Sequence, residues 1–383
     1  MKIYNLEMVS SQDIVRPNFL LNGYFNFWQR NTTFNSSNFG FDGVTGFYTA
    51  DRWFYYQSFI EPNPNVSYAT IERSSDIPPN YNYESQYSIK ITSTTVSGGT
   101  DPALYYIGQK IEGHNSTTLI GKKCTLSFFV KSSNPGKYFV ALKNYANDLC
   151  YITPYEIEEE NTWEYKTITL QMTDSGAWRR DREVGLRIYF ILRCGGDGRI
   201  PADSINTWYS GNYYSAHMTQ GDLFGSSGRN IYFANIKFEP GIGPTIGMGR
   251  TIDQELAACQ RYFEKSYSPE ITIGTITDVG AKICRIPSTT EIEGDYAFVV
   301  TKRAIPTLYS FSPNTERLWS RIPGSIYCRN LNTGVDVNIT YPIVGGSTGY
   351  IARGGFSRLL LASAQTTGNK ISFHWVADSE LYT

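Results

Sequence analysis

Residues 124–131 read CTLSFFVK and residues 184–192 read VGLRIYFIL, and these two stretches decide the fold class. In the first, Leu126, Phe128 and Val130 share one face, with Thr125 and Ser127 on the other. In the second, Leu186, Ile188, Phe190 and Leu192 line up opposite Arg187 and Tyr189. A period of two marks a β-strand with one face turned to a core. Residues 87–92, 137–144 and 164–170 extend the pattern with β-branched and aromatic side chains. Residues 231–238 start with Ile231 and Phe233 in phase and then shift to Ile236 and Phe238, which predicts a bulge. Short strands parted by polar turns predict an antiparallel sandwich or jelly roll.

One segment departs from this period. Residues 251–265 (TIDQELAACQRYFEK) place Thr251 and Gln254 at capping-box spacing and Ile252, Leu256, Cys259 and Phe263 at helical intervals. The glycine-rich run before it, residues 241–249 (GIGPTIGMG), suits neither a strand nor a helix and predicts a hinge. A second β pattern follows, at residues 295–301, 325–329, 335–341, 358–361 and 371–376. The expected chain is all-β. It has an arm at residues 1–17, an antiparallel jelly-roll sandwich at 18–245, a hinge and one linker helix at 246–265, and a second β-sandwich at 266–383. Each β region falls within the usual size of a domain.

Composition narrows the function classes. The 383-residue chain, 43.3 kDa, is 41% apolar, 15% aromatic and only 18% charged. A net charge of −1 leaves no electrostatic footprint for nucleic acid or an anionic membrane surface. No apolar run approaches the roughly 20 residues of a membrane-spanning helix, and residues 1–17 lack the pattern of a secretory signal. The six cysteines form no CxxC pair, so buried free thiols in a reducing cytosol are expected.

Chemistry-bearing patterns are few. His114 and His217 have no second ligand type at helical spacing, and no HExxH, Walker or EF-hand pattern occurs. No metal or cofactor is expected. His374 lies opposite Phe373 and Trp375 on its strand, which predicts a surface or subunit-contact position. The acidic run Glu156, Glu158, Glu159 and Glu160 reads as a solvated turn, since a glycosidase needs two carboxylates facing one cleft. Asp51 reads as one half of an Asp–Arg pair. The informative stretch is residues 203–230, where Trp208, Tyr209, Tyr213 and Tyr214 stand among Ser, Gly and Asn without alternation. Rigid amphipathic rings beside small hydrogen-bonding residues are the composition of a binding loop. These four rings are the candidate ligand-binding residues. Contact with a neighbouring subunit and packing on the protein's own sandwich are the two alternatives.

Residues 18–30 (NFLLNGYFNFWQR) resemble the opening of a large family of phage tail-fibre and related virion proteins with a carbohydrate-binding-module-like jelly roll. Asn31 stands where that family has glycine. Residues 48–53 (YTADRW) and 121–131 (GKKCTLSFFVK, with Phe129 where Trp is common) are similar to two further landmarks. Residues 233–241 (FANIKFEPG) resemble the strand that closes the jelly roll, and residues 255–266 (ELAACQRYFEKS) the helix after it. Residues 304–307 (AIPT) and 373–381 (FHWVADSEL) resemble the family's carboxy-terminal β domain. The resemblance implies a virion appendage, often trimeric, that binds host-surface glycan or another receptor without catalysis. A tail adaptor or head decoration contacting only other virion proteins is the alternative, and a polysaccharide depolymerase is a third. Trp28 and Trp53 belong to the landmarks and read as core residues.

Overall fold

The computed structural model describes residues 15–38, 44–58, 67–79, 85–96, 104–245, 247, 249–289, 291–314, 326–339, 351–360 and 364–382. The expected arm at 1–17 lies mostly outside these residues, as do the ends of the strands expected at 325–329, 335–341 and 358–361. By contact, the described residues divide into two units. The first takes those of Met1–Asn26, Asn35–Gly46 and Tyr55–Ile252, and the second those of Phe27–Phe34, Phe47–Phe54 and Asp253–Thr383.

The first unit is an antiparallel sandwich. One sheet contains, in order, Tyr68–Ser74, Ser88–Thr95, Asn230–Pro240, Lys123–Ser132 and Glu164–Gln171. The other runs Trp208–Ser210, Leu149–Ile157, Gly136–Asn144, Val184–Cys194 and Leu104–Glu112. The alternation read from the sequence places the inner rings. Phe128 from the first sheet meets Phe190 from the second at 5.0 Å, and Phe190 meets Phe233 at 4.9 Å. Edge-on and tilted ring pairs of this kind add to the area they bury. The bulge expected in residues 231–238 is present as a register shift between Ala234 and Lys237.

The second unit is built round the Lys370–Asp378 strand, which pairs with Phe263–Lys265, Lys282–Arg285, Thr307–Phe311 and Ile326–Asn330. A three-stranded sheet (Glu291–Ala297, Gly355–Leu360, Ile351–Ala352) covers one side through Phe298, Phe356, Phe373 and Trp375. Phe263, Tyr267, Ile273, Phe311 and Val376 pack together in a second cluster. The strand is therefore buried on both faces, and this overturns the surface position expected for His374. That residue is fully buried, stacks on Tyr267 at 3.7 Å, and bonds Thr277 O through Nε2 at 2.8 Å. Burial lowers its pKa.

The linker helix is shorter than its sequence pattern. It spans Ile252–Gln260, Ile252 is half exposed, and Phe263 belongs to a strand paired with Lys370–Asp378. Pairing with the central strand outweighs helix propagation at residues that fitted either period.

Three stretches singled out in the sequence, at residues 28–30, 50–53 and 377–381, meet in this unit. Glu380 accepts from Arg30 Nη2 at 3.1 Å and from Arg52 Nη1. Arg30 lies 3.6 Å over the Phe263 ring and Arg52 lies 3.5 Å over Tyr262. Asp51 accepts from the Gln29 backbone and side chain at 3.0 and 2.6 Å, with Arg30 3.7 Å away. Tyr48 Oη donates to Leu381 O at 2.8 Å. All these side chains are buried, with Trp28 and Trp53. The WQR, ADRW and ADSEL stretches thus form an internal ionic clamp. Burial holds the Glu380 carboxyl above its ordinary pKa despite Arg52 and Arg30.

Candidate functional site

The Trp208–Ser210 strand stands first in one sheet of the first unit, and Glu164–Gln171 stands last in the other. Along this open edge of the sandwich runs a groove of about 420 Å³. Trp208 and Tyr151 line it, their rings 5.6 Å apart, with Gln171, Thr173, Asp174 and Asn206 around them. Trp208 Nε1 donates to Gln171 O at 2.8 Å and ties the two sheet edges together. Trp178 meets the Trp208 ring edge-on at 5.8 Å and 87°, and its own Nε1 is engaged by Ser175 O at 2.9 Å. Both indole N–H groups are therefore committed to the protein, and what the rings offer a ligand is apolar surface.

Local chain geometry builds this arrangement. Gly176, at φ +87°, makes a turn that a side chain would strain, and a Cβ there would meet Leu149 at 2.9 Å. Asn206 holds the left-handed region at φ +61°, as Asn does more readily than most residues, with its N–H on Ile152 O at 2.8 Å. The half-buried Trp208 ring, backed by the buried Tyr151 ring and with amide, hydroxyl and carboxylate groups round it, can cover the C–H face of a sugar ring and bind its hydroxyls. Its volume lies in the range of small-molecule sites, roughly 300–1,000 Å³.

The four candidate rings do not form one cluster. Trp208 faces the groove. Tyr209 follows it on the other side of the strand and pairs with Tyr213 at 5.7 Å. Tyr214 lies over the second sheet, stacked on Tyr106 at 6.0 Å and Tyr189 at 6.3 Å. Tyr106 in turn stacks on Tyr189 at 4.1 Å and on Tyr56 at 4.6 Å. Gly108 stands opposite Tyr189, and a Cβ there would meet the Tyr189 ring at 2.6 Å. The 203–230 segment thus closes one face of its own sandwich through Tyr214.

Beneath Tyr214 sits Lys143, fully buried, its Nζ 3.8 Å from the ring centroid and bonded to Asn212 Oδ1. The ring and the amide favour the ammonium form, but burial dominates and lowers the pKa to about 7. The unfolded chain holds that proton up to about pH 10.4. Stability therefore rises as pH goes from about 7 towards 10, and the full penalty is present below 7. Lys143→Met should raise the melting temperature by several degrees at pH 6 and by less at pH 9.5, an effect of about 1–3 kcal/mol at the lower pH. Scanning calorimetry at the two pH values checks it, and a gain that does not depend on pH would contradict it.

No protein-family model and no curated protein matches this chain. Among solved structures, the enzymatically active domain of a bacteriophage CBA120 tailspike protein aligns over 50% of this chain and 20% of its own, at 13% identity and a TM-score of 0.30. The family 11 carbohydrate-binding module of a Clostridium thermocellum cellulosomal cellulase aligns over 54% of this chain and 99% of its own, at 13% identity and 0.27. A module solved with β-1,4-galactotriose aligns over 58% of this chain and 99% of its own, at 10% identity and 0.27. The fold described above rests on this chain's own sheets, and at these scores the likeness adds no argument about a ligand.

Sequence reasoning missed Tyr151, Trp178 and Gln171. Tyr151 lies on a strand that carries Pro154 and Glu156, and Trp178 lies in a polar connection. A lone Trp among Ser, Gly, Arg and Asp, with no strand to embed it, was the available signal. Of the acidic run at 156–160, Glu158, Glu159 and Glu160 are exposed at a turn as expected, where Glu164 Oε1 accepts from the Glu158 and Glu159 backbones, whereas Glu156, also exposed, lies within the Leu149–Ile157 strand.

Proposed function

We propose that this chain is a phage particle appendage that binds host-surface glycan through the groove of Trp208 and Tyr151, without catalysis. The observation that carries this reading is the aromatic floor at the sandwich edge, braced by Trp178 and ringed by Gln171, Thr173, Asp174 and Asn206. The order of virion-family landmarks along the sequence supports the particle context. Among the described residues lining the groove, Asp174 is the one carboxylate, which gives an acid and partner mechanism no second group there.

A shallow groove binds weakly. Millimolar single-site affinity corresponds to about 4 kcal/mol, and several copies on one particle raise it through effective concentration. The chain is accordingly proposed to act as a homotrimer held by other virion proteins. Light scattering on the purified protein should give about three times 43.3 kDa, and a monomer at micromolar concentration would contradict the trimer. Groove binding is tested by titrating the chain with oligosaccharides cut from the host's surface polysaccharide. Saturable binding supports it. Particles that fail to assemble when Trp208 is changed to Ala, with no glycan bound by the wild type, favour the adaptor role instead.

A further inference from the structure

The Val184–Cys194 strand shifts register against Leu104–Glu112 between Ile191 and Arg193. Bulges of this kind re-aim a side chain, and here Arg193 lines a cavity of about 450 Å³ with Arg199, Gln220 and Asp222. Arg193 Nε lies 3.8 Å from Asp222 Oδ2, and Asp222 Oδ1 accepts from Phe224 N at 2.9 Å. Arg199 spends Nε and Nη2 on Cys194 O, which leaves its Nη1 edge for a ligand. Two of the lining residues each carry a buried polar atom without a partner among the described residues: Arg193 Nη1, a donor, and Gln220 Oε1, an acceptor. Buried polar atoms in folded proteins are nearly always paired, so an orphan donor and an orphan acceptor at one cavity point to a ligand that offers both complements.

The charges define that ligand. Among the lining residues two guanidinium groups stand against one carboxylate, and Arg229, which donates to Asp222 O at 2.7 Å, adds to the positive side, so the cavity favours an anion. The planar guanidinium fork fits a carboxylate by two parallel bonds. Gln220 Oε1 and the Asp222 carboxylate can accept from neighbouring hydroxyls. We propose that this cavity is a second carbohydrate subsite, specific for a sugar that carries a carboxylate, a uronic-acid residue of an acidic polysaccharide. It uses residues separate from the Trp208 groove and holds whether or not that groove binds.

The test is calorimetric titration of the full chain with oligogalacturonate, with neutral oligogalactose of equal length and inorganic sulfate as comparators. Oligogalacturonate should saturate the wild type, and its affinity should fall as salt is added. Arg193→Gln should weaken it about tenfold or more, the usual size of a lost charged hydrogen bond, and Arg193→Lys by less. Thr219 is exposed at the rim, so Thr219→Trp should block the cavity without touching the core. If Arg193→Gln does not fold, Thr219→Trp decides. No binding by the wild type, equal binding of the neutral oligomer, equal competition by sulfate, or unchanged binding in both variants each overturns the proposal.

Discussion

Glu380→Ala is expected to unfold the second unit under conditions in which the wild-type chain is stable. The carboxylate is buried and answers two buried guanidinium groups, on Arg30 and Arg52. Removing it leaves both cations without their shared counter-ion, and breaking a buried ion pair from one side costs about 3–5 kcal/mol. That is a large fraction of the stability of an ordinary domain, about 5–15 kcal/mol. Glu380→Gln keeps the volume and one acceptor, so it should cost less while still leaving positive charge buried. Hydrogen exchange at the amides of Phe263–Lys265 and Lys370–Asp378 under increasing urea reads the loss where it occurs. Protection unchanged in Glu380→Ala would contradict the clamp.

Trp208→Ala should reduce glycan affinity by about 2 kcal/mol or more, roughly thirtyfold, as truncation of a central aromatic anchor does. The side chain is half-buried on an edge strand, so circular dichroism and melting should change little. Trp208→Phe keeps a ring but loses the bond to Gln171 O, and should retain part of the affinity. Trp178→Ala should weaken binding less, because Trp178 acts by bracing the Trp208 ring. Tyr214→Ala should behave in the opposite sense, with stability lost through the Tyr106 and Tyr189 stack and little direct effect on binding. Equal affinities for wild type and Trp208→Ala would remove the groove from the account.

The parts of this fold that were legible in the sequence are the strands with one face in a core. Leu126, Phe128 and Val130, and Leu186, Ile188 and Phe190, take one side of their strands, and the other side, also buried, carries the polar and aromatic residues Thr125, Ser127, Arg187 and Tyr189 that make the alternation visible. Leu104–Glu112 is not legible because its sequence, LYYIGQKIE, carries no strict alternation of apolar and polar residues, although it is no more buried than Lys123–Ser132 or Val184–Cys194. Leu149–Ile157 escaped because Pro154 argues against a strand. His374 was misplaced for a related reason: a polar residue opposite two apolar ones suggests a wet face, and only tertiary packing shows that face to be covered. The ionic clamp was visible as three separate landmarks whose residues lie some 330–350 positions apart, a distance no local pattern spans. At the candidate site, composition pointed to the 203–230 segment but could not sort its rings. Trp208 and Tyr209 differ only in which side of a three-residue strand they leave, and Tyr214 only in what lies beneath it.

The most direct measurement uses 5-fluorotryptophan. The chain has seven tryptophans, and Trp28, Trp53 and Trp375 are buried in the second unit. In a fluorine NMR titration with oligosaccharides of the host's surface polysaccharide, the Trp208 resonance should shift most and saturate, and Trp178 should follow with a smaller shift, while Trp28, Trp53 and Trp375 stay in place. A titration that leaves Trp208 unmoved, or that moves Trp163 on the other sheet's side of the sandwich alone, would contradict the assignment of the groove as the glycan site.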